Sequence, residues 1–348
     1  MSEIKQASGT TQTVEFKHAM AAHCESGMLS ALLTHKGLRI SEPMVFGASG
    51  ALFFVFIKTP HMVFPVFDMR NRPGDMRKNI GKRLGISFAT QKFGTPDKAR
   101  ASLEALVDKG IPTAVQVDMF YMDYIPSYMR VHFNAHFITV VGKDGNDFLV
   151  SDSYYPTVSR LSRDSLDKAR FAKSDFAPKG FQFYVETAPQ SGLDEKVLSK
   201  AALQGIKQAA FNMVKLPVPF IGVKGMRRFA DNVPAWPKIA RNSDALSHAI
   251  MSIHITLEER GTGGGGFRFM YASFLQEASK LLNRPELSGM SKKIMAIGDR
   301  WRELSLFAAR IGKNRDLGDS RLQEVRAMIR ARADEEEAFF KELLAMVK

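Results

Sequence analysis

Residues 134–153 read NAHFITVVGKDGNDFLVSDS, and this stretch decides the fold of the first half of the chain. Two apolar runs flank the residues KDGN (143–146), and Asp and Gly at the centre of such a pattern predict a β-hairpin. His136 begins the first strand and Asp152 ends the second. Because the outer ends of an antiparallel hairpin lie side by side, the pattern places an imidazole next to a carboxylate that can orient it.

The single cysteine of the chain, Cys24, opens a segment with helical periodicity, CESGMLSALLTHKG (24–37). Gly37 is placed to end that helix. A cysteine in the first turn of a helix lies near unpaired N–H groups and the positive end of the helix dipole, and both favour a thiolate. One cysteine also excludes an intramolecular disulfide and a multi-cysteine metal site.

Taken singly, each of these residues is more often structural than catalytic. A lone cysteine on a helix usually fills a core, a strand histidine is usually a satisfied polar group, and an aspartate at a strand end is usually a turn residue. Their order, a helix-opening Cys24 followed by His136 and Asp152 on a hairpin, is that of papain-like enzymes. We therefore predict a catalytic triad, and prefer His136 to His132 as the base because His132 precedes the strand.

The remaining pattern predicts an α+β protein of two domains. Residues 1–15 are polar and we expect them to be loose, residues 16–188 mix helix and strand, and a polar break at 187–194 separates them from a helical domain at 195–348. In the first domain we predict strands near 53–67, 113–118, 148–151 and 181–185 and a helix at Pro96–Asp108. In the second we predict helices near 195–213, 242–260, 267–283, 290–311 and 318–346.

The formal net charge of +13 is spread over both halves of the chain and favours an acidic partner, although solvated surface charge that only aids solubility explains it equally well. The basic clusters lack interleaved aromatic residues, so we do not expect nucleic-acid binding. The histidines are scattered and no metal is expected. The most apolar segment, 51–67, is too short and interrupted to span a bilayer, and residues 1–17 lack a signal-peptide pattern, so we expect a cytoplasmic protein.

The sequence resembles the butirosin biosynthesis protein H family, in which a papain-like, C39-peptidase-like domain precedes a helical one. The resemblance is carried by the following segments, in this order: HCESGMLSALLTHKGLRISEPMVFGASG, MRNRPGDMRKNIGKRLGI, GIPTAVQVD, HFITVVGKDGNDFLVSDS, GTGGGGFRFMYASFLQEA and DRWRELS.

The resemblance implies acyl transfer. Cys24 would attack the phosphopantetheine thioester of an acyl carrier protein, with His136 assisting and Asp152 orienting the ring, and the acyl group would pass to a small-molecule amine or hydroxyl. No bound cofactor is implied. Two alternatives stay open: a hydrolase of the same fold (thioesterase, amidase or peptidase), and a non-catalytic binding protein. The sequence does not fix the oligomeric state.

Further site residues are weaker predictions. Papain-like enzymes often place a glutamine before the cysteine to help form the oxyanion hole, and the residue six before Cys24 is His18; we name His18 and His23 as candidates, or backbone N–H groups instead. Glu42 could bind a substrate amine or fix a loop, or simply belong to a helix start at Ser-Glu-Pro. The run of glycines before Arg268 could cradle a phosphate, with Arg268 and Tyr271 contacting the substrate, or be a linker before a core helix.

Overall fold

The computed structural model describes residues 11–173 and 177–347. In the first half of the chain, strands and helices alternate. The strands are β1 Thr11–Thr13, β2 Leu52–Ile57, β3 Val66–Arg70, β4 Ser87–Gln91, β5 Thr113–Val117, β6 His136–Asp144, β7 Asp147–Ser151, β8 Ser159–Ser162 and β9 Gln182–Thr187. The helices are α1 Cys24–His35, α2 Glu42–Ala48, α3 Asp75–Leu84, α4 Pro96–Asp108, α5 Arg163–Arg170, α6 Glu195–Val214, α7 Gly222–Asn232, α8 Trp236–Ile239, α9 Ser243–His254, α10 Arg268–Leu281, α11 Glu286–Lys313 and α12 Asp319–Met346. The α+β class is thereby confirmed.

The chain forms two compact units that differ from the predicted domains in one segment. Unit 1 contains the described residues up to Glu42 together with Gly85–Leu193, and unit 2 contains Pro43–Leu84 with the described part of Asp194–Lys348. The sequence-based boundary had left Pro43–Leu84 in the first domain. In unit 2, Phe56 of β2 donates its N–H to the carbonyl of Phe220 at 2.8 Å, which ties this segment to the region before α7.

Unit 1 is built on an antiparallel sheet in the order β4-β9-β5-β6-β7-β8, and β1 pairs with β6. The predicted hairpin is confirmed: β6 and β7 pair up to Asp144 opposite Asp147, and Gly145 in the turn has a positive φ of 61°. Alternate side chains of the strands meet α4 and α5 in one apolar core, as period-2 burial requires. That core includes Leu103, Val115, Val117, Ile138, Val140, Phe148, Val150 and Leu166.

The N-terminal residues were expected to be loose, and this is wrong for Thr11–Thr13. These residues form β1 and pair with Gly142–Asp144 of β6. The pairing of β6 with β5 reaches only to Val140, opposite the first residue of β5, so the outer part of β6 has backbone groups that β1 can satisfy. Residues 1–10 of the predicted loose segment lie outside the described residues.

Unit 2 is helical apart from the β2–β3 hairpin, and each helix predicted in residues 195–348 is present. Three helices of unit 2 were not predicted from the sequence: α3, α7 and the short α8. Helix α3 is rich in charged residues, α7 is rich in small and charged residues, and α8 contains a proline. Among the described residues, no helix combines the length and the apolar character that crossing a bilayer requires.

The core of unit 2 contains an ion pair that includes Arg268, which was predicted from the sequence as a candidate substrate contact. The Arg268 guanidinium donates to both oxygens of Glu336 at 2.8 Å, and Trp301 Nε1 donates to Glu336 at 2.6 Å. Arg268, Glu336 and Tyr271 are all 0% exposed. Arg268 and Tyr271 are therefore core residues of unit 2, and their predicted contact with a substrate is wrong.

The glycine run before Arg268 is likewise not an open phosphate cradle. Gly263 to Gly266 all have positive φ, which glycine adopts without the steric cost that a side chain brings. Within this turn the Gly264 N–H donates to Thr262 Oγ1 at 3.1 Å, and the Gly265 N–H donates to Glu258 Oε1 at 3.0 Å. The run is a tight left-handed turn in which the amides of Gly264 and Gly265 are used inside the fold.

We predict that Arg268→Met lowers the free energy of unfolding by about 3–5 kcal/mol, because it leaves the buried Glu336 carboxylate without its counter-charge. The double variant Arg268→Met/Glu336→Leu should recover part of this loss. Lys341→Met is the control, since it removes an exposed ion pair with Glu337 of the same helix and should cost about 0–1 kcal/mol. Urea unfolding checks all three; equal losses for Arg268→Met and Lys341→Met would contradict the prediction.

Candidate active site

Cys24 is the first residue of α1, as predicted, and its side chain is only 3% exposed. The preceding residue, His23, caps the helix with an extended backbone, and its Nδ1 accepts the N–H of Ser26 at 3.2 Å. The first N–H groups of a helix have no partner within the helix and carry part of its positive dipole. The thiol therefore lies where a negative charge is stabilised by the backbone.

The loop before Cys24 is fixed by the carboxylate of Glu42. Its Oε2 accepts the Ala22 N–H at 3.0 Å, and its Oε1 accepts the His23 N–H at 2.8 Å and the Ser26 hydroxyl at 2.9 Å. Burial raises the pKa of Glu42, although these three hydrogen bonds act in the opposite direction. This arrangement corresponds to the loop-fixing alternative for Glu42 rather than to substrate binding.

The same loop is also held to the end of the hairpin. The Ala21 N–H donates to the carbonyl of Ser153 at 2.9 Å, one residue beyond Asp152. Gly27 of α1 makes this approach possible, because a Cβ at that position would lie 2.2 Å from the Cβ of Ala21 and 3.4 Å from that of Ser153. The two contacts bring the start of α1 to the strand end that carries Asp152.

His136 and Asp152 form the pair that the hairpin predicts. Nε2 of His136 lies 2.9 Å from Oδ2 of Asp152, and both side chains are 0% exposed. The carboxylate also accepts the hydroxyl of Tyr124 at 2.8 Å and the N–H of Tyr154 at 3.1 Å. Burial alone would raise the pKa of Asp152, but the charge of His136 and these hydrogen bonds hold the pKa below its ordinary value.

The second ring nitrogen of His136 is left for Cys24. Nδ1 is buried and has no hydrogen-bond partner among the described residues. Cys24 Sγ lies close by, 4.0 Å from the carbonyl oxygen of Ala135, the residue before His136. Burial would lower the pKa of His136, but the charge and hydrogen bond of Asp152, followed by the effect of the nearby Cys24 thiol, raise the pKa to about 10. At neutral pH the imidazole is thus a cation between a carboxylate and a thiol, the charge arrangement that activates a cysteine nucleophile.

The competing histidine, His132, belongs to a separate pair. Its Nδ1 lies 2.9 Å from Oδ2 of Asp118, and its ring stacks on Phe120 with centroids 4.1 Å apart. Its side chain is 58% exposed, in contrast to the buried His136. The structure therefore brings His136, and not His132, together with Asp152 and Cys24.

Both histidines named for the oxyanion hole make other hydrogen bonds, through both ring nitrogens of His18 and through Nδ1 of His23. His18 lies 2.8 Å from the Ser151 hydroxyl through Nδ1 and donates from Nε2 to the carbonyl of Tyr155 at 2.9 Å. Both ring nitrogens are thus used, and the prediction for His18 is wrong. Nδ1 of His23 is an acceptor in the helix cap, so that nitrogen has no proton to give to an oxyanion.

The sequence analysis missed Tyr124 and Tyr154. Tyr124 lies in the loop between β5 and β6, and nothing in its local sequence points to Asp152. Tyr154 could have been found, because it follows the predicted strand end by two residues. Its ring stacks on that of His136, with centroids 5.3 Å apart and an interplanar angle of 25°.

The class that this arrangement defines is papain-like: a cysteine opens a helix, and a histidine and an aspartate follow on an antiparallel sheet. The chain belongs to the family of the domain of unknown function DUF4872, whose model matches residues 164–343. Residues 23–153 match the model described as butirosin biosynthesis protein H, N-terminal. The predicted resemblance to that family is thereby confirmed.

A crystal structure from Bacillus anthracis, described as a C39-like peptidase, is 11% identical to this chain, with a TM-score of 0.36 over 52% of this chain and 100% of that one. No protein with a curated description matches the chain.

We predict that Gly27→Ala lowers the free energy of unfolding by about 1–3 kcal/mol, because the added methyl group overlaps Ala21 and must displace the loop before Cys24. Gly289→Ala is the matched control, since Gly289 is an exposed helical residue whose added Cβ would meet nothing within 4 Å. There alanine should be neutral or stabilise by up to about 1 kcal/mol. Urea unfolding measures the free energy of unfolding of both variants. Equal changes would contradict the prediction, because they would show that stability does not depend on the close approach of α1 to Ala21.

We also predict a pH-dependent contribution of His136 to stability. Its pKa is raised in the folded state, so the stabilisation is complete below the ordinary histidine pKa of 6.5 and is lost as the pH rises to about 10. The difference in unfolding free energy between wild type and His136→Gln should therefore shrink from pH 6 to pH 10 in urea titrations. A difference that stays constant over this range would contradict the imidazolium assignment.

Proposed function

We propose that the protein is a cysteine-dependent acyltransferase that takes an acyl group from a thioester and passes it to an amine or hydroxyl acceptor. The observation that carries the proposal is the position of the thiol at the N-terminus of α1 beside the buried His136–Asp152 pair, since Cys24 Sγ lies 4.0 Å from the carbonyl oxygen of Ala135, the residue before His136. The family match to a biosynthesis protein favours transfer within a biosynthetic pathway over peptide hydrolysis.

The reaction follows from the charges of the three side chains. The Cys24 thiolate attacks the thioester carbonyl, and the tetrahedral intermediate collapses by breaking the carbon–sulfur bond to the donor. The leaving thiolate takes the proton of His136, so the donor leaves as a free thiol and an acyl-Cys24 thioester remains. An acceptor amine then attacks this thioester, the now neutral His136 takes the amine proton, and Cys24 leaves as a thiolate.

An acyl carrier protein is the donor that we propose, with the acyl group on its phosphopantetheine thiol. Carrier proteins are typically acidic, and the net charge of +13 gives this chain the complementary sign for docking and for a fast encounter. Raising the ionic strength should then slow acylation by a carrier-bound thioester more than acylation by an uncharged small thioester.

The decisive experiment is intact-protein mass spectrometry after mixing the enzyme with acyl-loaded carrier proteins and with N-acetylcysteamine thioesters. We expect wild type to gain the mass of the acyl group, Cys24→Ala to gain nothing, and His136→Ala to react about 10²–10⁴-fold more slowly. His132→Ala is the matched control, because it removes a histidine of a different His–Asp pair and should react like wild type.

The fate of the acyl-enzyme separates transfer from hydrolysis. If added amine speeds up the loss of the acyl mass from the enzyme, the protein is a transferase. If the acyl mass is lost equally fast in buffer alone, the protein is a hydrolase. If wild type forms no adduct with any thioester, the proposal fails, and the non-catalytic alternative takes its place.

A further inference from the structure

The acylation step needs hydrogen-bond donors for the oxyanion that forms on the attacked carbonyl. The N–H of Cys24 is one donor, because the first amides of a helix are not used within it and this one lies next to the nucleophile. A second donor normally comes from a side chain. His18 cannot serve, since it is bound to Ser151 and Tyr155.

Tyr154 is the side chain that the structure places at this amide. The Cys24 backbone N–H acts on the Tyr154 hydroxyl oxygen as a nearby donor does, and by itself it would lower the pKa of that phenol. The ring above this contact is held from two sides, by stacking on His136 at 5.3 Å and by the Tyr154 N–H, which donates to Asp152 at 3.1 Å. The hydroxyl therefore lies beside the Cys24 amide and is positioned by both other members of the triad.

The hydroxyl in this position keeps its proton. Burial, followed by the nearby charges of Cys24 and Asp152, raises the pKa of Tyr154 well above its ordinary value. A neutral phenol carries one O–H that can be donated, and the contact with Cys24 uses only its oxygen.

We infer that Tyr154 is a catalytic residue of the acylation step, supplying the second donor of the oxyanion hole. When the thioester binds, its carbonyl oxygen accepts a hydrogen bond from the Cys24 N–H. The Tyr154 hydroxyl rotates and donates a second hydrogen bond to the same oxygen. The tetrahedral oxyanion then receives two hydrogen bonds, and no proton is transferred. This inference rests on the proposed function, because the oxyanion exists only if Cys24 attacks a carbonyl.

The single cysteine allows the resting contact to be measured without any substrate. In protein labelled with ¹⁵N-cysteine, one amide signal reports the Cys24 N–H. Tyr154→Phe keeps the ring on His136 but removes the acceptor, so we expect this amide proton to move upfield and to exchange faster with solvent. Tyr155→Phe is the matched control, because the ring of Tyr155 packs on Tyr124 and its carbonyl accepts His18, and the signal should not move.

The catalytic role is measured as the rate of acyl-enzyme formation with an N-acetylcysteamine thioester. Tyr154→Phe should lower the rate constant at saturating thioester on the order of 10²-fold and leave the half-saturating concentration unchanged, because a donor to the oxyanion acts only in the transition state. Tyr155→Phe should react like wild type. A structural role of Tyr154 would instead change the half-saturating concentration or the unfolding free energy.

The outcomes separate this inference from the function on which it rests. If wild type is acylated and Tyr154→Phe is acylated at the same rate, the inference is overturned while the proposed function stands, even where the amide signal moves. If wild type is not acylated by any thioester, the proposed function fails and the catalytic role falls with it. An amide signal that stays in place in Tyr154→Phe would also overturn the inference, because the contact that motivates it would be absent in solution.

Discussion

The geometry of the site depends on the buried carboxylate of Asp152. A carboxylate removed from water is stable only when its oxygens are paired, and an isolated one would be protonated instead. Here the donors come from three places: the imidazole of His136, the hydroxyl of Tyr124 and the backbone N–H of Tyr154. Satisfying the carboxylate therefore fixes the imidazole, a loop tyrosine and the end of the hairpin at once.

The position of Cys24 follows from a second set of contacts, which are made by the backbone rather than by the thiol. The loop of Ala21, Ala22 and His23 is bound to Ser153 on one side and to Glu42 on the other. Since α1 begins directly after this loop, the first amide of the helix lies close to the strand end that carries Asp152. Glycine at position 27 avoids a Cβ that would lie 2.2 Å from the Cβ of Ala21. The nucleophile and the base thus meet although 112 residues of sequence separate them.

Local pattern was sufficient to predict the hairpin, helix α4 and the helical second half, because each is encoded by periodicity and turn residues within a short window. It also predicted Cys24, His136 and Asp152 as site residues. A helix start positions Cys24, and a hairpin with a two-residue turn positions His136 and Asp152. The wrong residue assignments have a different cause, which is a partner distant in sequence. Arg268 looks like a solvent-exposed cation until Glu336, 68 residues later, neutralises it in the core.

The same cause accounts for His18 and for the segment Pro43–Leu84. The ring of His18 is hydrogen-bonded to Ser151, 133 residues later, and no spacing rule in the sequence links these two residues. The apolar runs of β2 and β3 would suit either unit, and the contacts that link them to unit 2, such as the backbone hydrogen bond from Phe56 to Phe220, are distant in sequence. Sequence patterns predict which faces are buried, but they do not say against which element.

The charges of the site explain why a tyrosine suits the place beside the Cys24 amide. The resting site already holds a carboxylate, and the cation of His136 lies between it and the thiol. A second cation at the oxyanion would compete with His136 for the thiolate and for Asp152, whereas another carboxylate would repel the developing charge. A neutral hydroxyl whose pKa is raised by its surroundings donates a hydrogen bond without changing the net charge. The positive charge then stays on His136, where the leaving thiolate requires a proton.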